Sequence, residues 1–247
     1  MNLRRSASVS ESEARRAFTS CGVNIVERTR EANCRAWITA AVLLLSGGTA
    51  SAQIVTFESE TLGQPPKDFE FGLAGEGGPG RWELVADPTA GGGKALAQLS
   101  TNTAEFRFLV AMYKPVTAGN VEVTARCKPI SGQADQACGV IVRAADAGNY
   151  YMARANALED NVRFYRVRDG QREQLASAEG VKIVRGQWHT LTLNARGDRF
   201  TVFFNDTPLH ATTDSTPQPR PADGRVGFWV KSDSVTYFDR LEIRKFQ

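Results

Sequence analysis

One stretch of the sequence combines residue types and spacing that could do chemistry: YYMARANALEDNVRFYRV, residues 150–167. If Asn156 and Asn161 close a four-residue turn of Ala157, Leu158, Glu159 and Asp160, then Arg154 lies opposite Arg163 and Met152 opposite Tyr165. Strand alternation sends Tyr151, Ala153, Ala155, Val162 and Phe164 to a core face. It leaves Arg154, Asn156, Asn161, Arg163 and Tyr165 on the other face, as an exposed polar patch. Two arginines directly opposite each other repel unless an acceptor stands between them. The acceptor is Glu159, Asp160 or the hydroxyl or carboxylate oxygens of a ligand; otherwise both guanidinium groups are solvated or paired internally. Planar donors and acceptors beside an aromatic ring suit a sugar, with its hydroxyls and its apolar ring face.

That hairpin needs a sheet to carry it. Residues 121–125, 140–143, 150–156, 161–167, 189–194, 200–204, 226–230 and 235–243 are all rich in β-formers. Turn formers separate them, among them 146–149 (DAGN), Asp169-Gly170, Gly197-Asp198, Asn205-Asp206 and Asp223-Gly224. Residues 82–85 (WELV) add a strand between glycine-rich segments. Asn205-Asp206-Thr207 fits a glycosylation acceptor but reads as the turn of a hairpin. No window shows a capped helical period. Many short strands with turns between them predict an all-β, antiparallel β-sandwich with no second-domain boundary.

The folded part is expected to begin late. Residues 36–45 (AWITAAVLLL) are apolar, Arg28, Arg30 and Arg35 precede them, and Ala50-Ser51-Ala52 follows. That order describes a secretory signal, and the run is shorter than the about 20 residues of a membrane span. Residues 1–52 are therefore read as a leader and 53–247 as a single sandwich domain, secreted or periplasmic, with no membrane span left after cleavage. The leader holds seven of the chain's 30 basic and four of its 27 acidic residues, leaving 23 of each. A mature domain of zero net charge is a poor partner for nucleic acid.

Cys127 and Cys138 remain in the mature part. In an exported protein the pair reads as a disulfide across neighbouring strands, at the facing ends of a hairpin; two buried free thiols are the alternative. Two cysteines that are not adjacent cannot form a structural zinc site alone, and His189 and His210 add only a weak case for one.

The succession NYYMARANALEDNVRFY (149–165), QWH (187–189) and GRVGFWVKSDSVTYFDRLEI (224–243) resembles the 3-keto-disaccharide hydrolase-like family of exported bacterial domains. That family lies in the concanavalin A-like lectin and glucanase superfamily, so the resemblance implies a jelly-roll sandwich. It carries Arg154, Asn156, Glu159, Asn161 and Arg163 onto the family's polar hairpin, and Lys231, Asp233 and Ser234 onto the loop before the last strand. Trp188 is expected in the core and His189 as a hydrogen bonder beside a turn. Asp239 matches a Phe-Asp pair, although Arg240 stands where a second Asp is often found, which weakens a calcium site built on paired acids.

Such sandwiches serve as binding modules and as enzymes alike. The Glu-x-Asp-x-x-Glu strand of retaining glucanases is missing, and Glu58 with Glu60 lacks a third member. Ser234, His189 and Asp233 could be drawn as a triad, but no nucleophile elbow surrounds Ser234. A keto-sugar-cleaving enzyme would use Glu159 or Asp233 as its base, and a metal-assisted version, with an oxygen-seeking ion such as calcium, would draw on Asp146, Asp233 and Asp239. The leading reading is a carbohydrate-binding sandwich without a cofactor. The candidate ligand residues are Arg154, Asn156, Glu159, Asn161, Arg163, Tyr165, Lys231 and Asp233. Cleavage of glycosidic bonds in 3-keto-disaccharides is the second reading, and a structural or protein-interaction domain the third.

Overall fold

The computed structural model describes residues 52–217 and 221–246. Apart from Ala52, the expected leader lies outside the described residues. The first strands are β1 (Gln53–Val55), β2 (Phe69–Gly75), β3 (Trp82–Ala86), β4 (Lys94–Gln98) and β5 (Arg107–Thr117). Then come β6 (Val121–Ser131), β7 (Ala137–Asp146), β8 (Asn149–Asn156), β9 (Asn161–Arg168) and β10 (Gln171–Glu179). The last are β11 (His189–Arg196), β12 (Arg199–Phe204), β13 (Thr207–Thr213), β14 (Arg225–Lys231) and β15 (Val235–Lys245). All pair antiparallel in two sheets. The first has the order β13-β12-β11-β6-β15-β4-β3, with β1 also on β15, and the second the order β10-β9-β8-β7-β14-β5-β2. The chain is an antiparallel β-sandwich, as its pattern of strands and turns predicts. Among the described residues no helix is long and apolar enough to cross a membrane.

The two sheets differ in how their faces are covered. In the first, β6 and β11 alternate: Val121, Val123, Ala125, Leu191 and Leu193 are buried, while Glu122, Thr124, Thr190 and Thr192 face outward half-buried. In the second, β5, β7, β8 and β9 are buried on both faces over most of their length. The inner face joins the main core, where Phe228 stacks on Phe238 at 4.3 Å and Tyr151 on Phe200 at 4.4 Å. The outer face carries a second apolar cluster that includes Phe108, Met112, Ile141, Tyr150, Met152, Tyr165 and Trp229.

A bend in the second sheet covers that outer cluster. The β7–β8 register shifts between Val142 and Asp146, and Arg143 takes φ 54°. The hairpin tip then folds over the face so far that a Cβ on Gly72 would meet the Ala147 side chain at 2.6 Å. On the next tip, a Cβ on Gly170 would lie 3.8 Å from Ala74 of β2, at the far edge of the sheet. The second sheet is thus curled until its two edges approach each other. The Asn205-Asp206 turn, with φ 46° and 63°, is the two-residue hairpin turn that the sequence implies.

Cys127 and Cys138 are joined by a disulfide with a Cα–Cα distance of 6.4 Å. Its place differs from the expected one. β6 and β7 are consecutive in sequence but belong to different sheets, so the bond does not close a hairpin. Both sulfurs sit in the main core and staple one sheet to the other.

Candidate functional site

The β8–β9 register is the expected one: Arg154 opposite Arg163, Met152 opposite Tyr165 and Asn156 opposite Asn161. All five polar residues share the outer face, but they are not an exposed patch. Arg154 is 2% exposed, Asn156 0% and Asn161 1%, Tyr165 is buried as well, and only Arg163 is half-exposed. The curl of the sheet and the turns around its end bury this face, which alternation along one hairpin cannot show.

Glu159 answers the repulsion between the two arginines. One of its oxygens lies 3.0 Å from Arg154 Nη2 and 3.2 Å from Arg163 Nη1. Asn156 and Asn161 donate to the same carboxylate at 2.9 and 3.0 Å, and Arg154 also donates to Asn161 Oδ1 at 3.1 Å. Arg163 and Asn161 reach Glu179 of β10 as well, at 3.4 and 3.2 Å. Burial pushes the Glu159 carboxyl up, but Arg154, Asn161 and Arg163 together hold it below the usual range.

Asp135, which the sequence reading missed, joins this network to Lys231. Its carboxylate lies 2.9 Å from Lys231 Nζ and accepts from Asn156 at 3.0 Å. Burial raises its pKa in spite of Lys231. Asp233 plays a different part: its carboxylate accepts from the backbone N–H groups of Gln133 (2.5 Å), Ala134 (3.1 Å) and Asp135 (3.0 Å). Asp233 thereby fixes the loop that presents Asp135. Seven of the eight expected residues are in one network, and the eighth orders its frame. Both carboxylates are engaged, Glu159 by Arg154, Arg163, Asn156 and Asn161 and Asp233 by three backbone N–H groups.

The opposite end of the same face is open. A cleft of ≈ 620 Å³ is lined by residues that include Glu76, Phe106, Phe108, Tyr165, Asp169 and Arg172. Its walls come from opposite edges of the curled sheet. The Arg172 guanidinium lies 4.2 Å from the ring centre of Phe108, 5.1 Å from Tyr165 and 5.8 Å from Trp229. Trp229 donates to the Tyr150 hydroxyl at 3.0 Å and stacks on Phe108, so the floor is rigid. Arg172 Nη1 is buried and has no acceptor among the described residues. Burial pushes the Arg172 pKa down. Phe106 stands at the mouth, 58% exposed. The glycine-rich wall is held by buried Arg107, which donates to the carbonyls of Gly78 (3.0 Å), Pro79 (2.8 Å) and Ser232 (2.7 Å). The register itself could have found Arg172: it pairs with Val167 across the Asp169-Gly170 turn and so shares the face of Tyr165. Phe106 gives no such signal, since it precedes β5 in a turn.

The remaining expectations divide. His189 hydrogen-bonds Val184 at 3.0 Å and Asn205 at 3.3 Å, as a residue beside a turn should. Trp188 is not core. It lies half-buried on the outer face of the first sheet, with Arg126 and Lys128 each 4.7 Å from its ring and its indole N–H on Thr89. No triad forms, because the Ser234 hydroxyl is bound to Ala137 N–H and Lys231 C=O while His189 bonds in the other sheet. The three acids considered for calcium have separate partners: Asp146 binds Gly148 and Asn149, Asp233 binds its loop, and Asp239 binds Arg126 and Gly91. Among the described residues no group of three or more His, Cys, Asp or Glu could hold a metal ion.

Several solved structures share this fold. A carbohydrate binding module, CBM66, from Bacillus subtilis has a TM-score of 0.54 at 20% identity, covering 71% of this chain and 95% of that one. A Bacillus subtilis protein of unknown function with a galectin-like fold has a TM-score of 0.52 at 13% identity, covering 72% and 90%. The Bacillus licheniformis beta-glucanase has a TM-score of 0.51 at 10% identity, covering 80% and 100%. At these identities the likeness is one of fold. No curated protein matches the chain. The sequence family is narrower: residues 76–244, over half of the 247, match the model of the 3-keto-alpha-glucoside-1,2-lyase-like domain, and the chain belongs to that family.

Proposed function

We propose that this protein is an exported carbohydrate-binding sandwich and that it holds its ligand in the cleft at the Arg172 end of the curled sheet. One observation carries the reading: an aromatic ring stands open at the mouth of a preformed cleft whose floor is an arginine lying over three further rings. Phe106 offers a surface for the apolar face of a pyranose, and Arg172, Gln171 and Gln174 offer planar groups for its hydroxyls. The hairpin residues named from sequence then act as the frame of this site. A carbohydrate binding module with the same fold agrees with the reading, although the fold alone does not establish it.

The family description favours a second reading, that the cleft cleaves a 3-keto-glucoside. A ketone at C3 acidifies the C2 proton. A carboxylate that removes it sends the electron pair toward the ketone; its return forms the C1–C2 double bond and breaks the C1–O bond, and the departing group takes up a proton and leaves as an alcohol. Glu76 and Asp169, which stand exposed in the cleft, are the carboxylates able to serve. The test is a glycan array on the full chain, run beside incubation with ordinary and 3-oxidised disaccharides. Retention without release of monosaccharide supports a binding module. Release that disappears in Glu76→Gln or Asp169→Asn supports the lyase. Neither retention nor release overturns both.

A further inference from the structure

We propose that the ligand of the cleft carries a carboxylate, as an acidic sugar of the uronate kind does, and that Arg172 receives it. The proposal rests on the carbohydrate reading above and adds the chemical class. At the β8–β9 end of the same face the cations each have a counter-charge. Lys231 has Asp135, Arg154 has Glu159, and Arg163 has Glu159 and Glu179. Among the described residues Arg172 has no carboxylate within ion-pair distance, and Arg154 repels it.

Holding a guanidinium half out of water without a counter-ion is costly. The rings of Phe108, Tyr165 and Trp229 offset part of that cost by cation–π attraction, which leaves the planar fork without its best acceptor. A carboxylate matches that fork with two parallel hydrogen bonds. Contact with Phe108 at 4.2 Å holds the group in place beforehand, so little freedom is lost when an anion docks. The rest of the cleft limits what kind of anion fits. Phe106 wants an apolar sugar face beside the carboxylate. Exposed Glu76 and Asp169 repel a densely charged polyanion and accept from hydroxyls. A single acidic sugar meets all three demands; inorganic sulfate or a polyuronate does not.

Titration calorimetry of the full chain with methyl β-D-glucuronide, methyl β-D-glucoside and sodium acetate tests this. The glucuronide should bind at least tenfold tighter than the glucoside. The preference should shrink at high salt and vanish in Arg172→Gln, acetate should give no measurable heat, and Phe106→Ala should weaken both glycosides. Equal affinity for the two glycosides overturns the acidic class and leaves the carbohydrate reading standing. Acetate as strong as the glucuronide overturns both, because the site would then be a plain anion site. No binding of either glycoside also overturns both. The comparison of the two glycosides on the unaltered protein decides the matter even if Arg172→Gln fails to fold.

Discussion

The two ends of one sheet face hold their charges in opposite ways. At the β8–β9 turn, Arg154, Arg163, Lys231, Glu159, Asp135 and Glu179 neutralise one another, with two asparagines filling the gaps. At the far end Arg172 faces a cleft with rings under it and, among the described residues, no carboxylate in ion-pair contact, although exposed Glu76 and Asp169 line the same cleft. The first end is finished in charge, its ions pairing among themselves, although Arg154 Nε, like Arg172 Nη1, is buried without an acceptor among the described residues. The second is a preformed shape with an unmet demand. Polar composition alone does not separate a site from a strut; the test is whether each buried charge already has its counter-charge.

The largest effect should come from breaking the finished end. Arg154→Ala leaves Glu159, Asn161 and Tyr165 without their shared donor, and should lower unfolding stability in urea by about 3 kcal/mol. This reverses the small effect expected of an exposed arginine. In contrast, Arg172→Met keeps the apolar stem over Phe108 and removes an uncompensated charge, so stability should stay level or rise by about 0.5–1 kcal/mol. If the two substitutions cost the same, the contrast between the ends is wrong. The disulfide also anchors the finished end, through Cys138 just beyond Asp135. Replacing both cysteines by alanine should cost about 3 kcal/mol, from the loop closed over eleven residues. Alkylation of the unreduced, denatured protein should label neither Cys127 nor Cys138.

At the open end the effect belongs to binding. Phe106 is 58% exposed, so Phe106→Ala should leave stability within about 0.5 kcal/mol. It should weaken a bound sugar about tenfold, or about 1.4 kcal/mol. A normal affinity in Phe106→Ala would move the ligand out of the cleft.

Much of this was legible in the residues. Turn chemistry and β-rich segments predicted most strands and the exact partners of the central hairpin, because Asn156 and Asn161 leave one simple turn between them. β5 was missed because RFLVAMY is buried on both faces and does not alternate. The exposure of Arg154 was misjudged for a related reason. A hairpin reports which face a side chain takes, while the bulge near Arg143 and the tips at Ala147 and Gly170 decide whether that face meets water. Asp135 sits in a loop of no distinctive pattern, and its role depends on Lys231 about a hundred residues away. Arg172 lay one hairpin further along the same register and was within reach.

Acid should separate the ends by a smaller margin. Glu159 has its pKa held below the usual range, because Arg154, Asn161 and Arg163 outweigh the upward push of burial. A depressed carboxyl stabilises the fold above its unfolded pKa of about 4.3, and that contribution is lost as pH falls through the lower folded value. Asp135 acts with the opposite sign. Burial raises its folded pKa, so the folded state takes up its proton more readily and gains on acidification. The acid limb at this end is therefore a difference between two opposed carboxyls. Glu159 is about a third exposed, so solvent screening reduces its share to about 0.5–1 kcal/mol. Glu159→Gln should flatten the fall in stability below pH 4 by that amount, while Asp135→Asn should steepen it. The open end supplies no comparable pair, since Arg172 stays charged throughout this range, and Arg172→Met should leave the acid limb unchanged. Urea midpoints measured from pH 6 to pH 3 on the three variants check this; an acid limb altered by Arg172→Met and not by Glu159→Gln would place the titrating pair at the wrong end of the sheet.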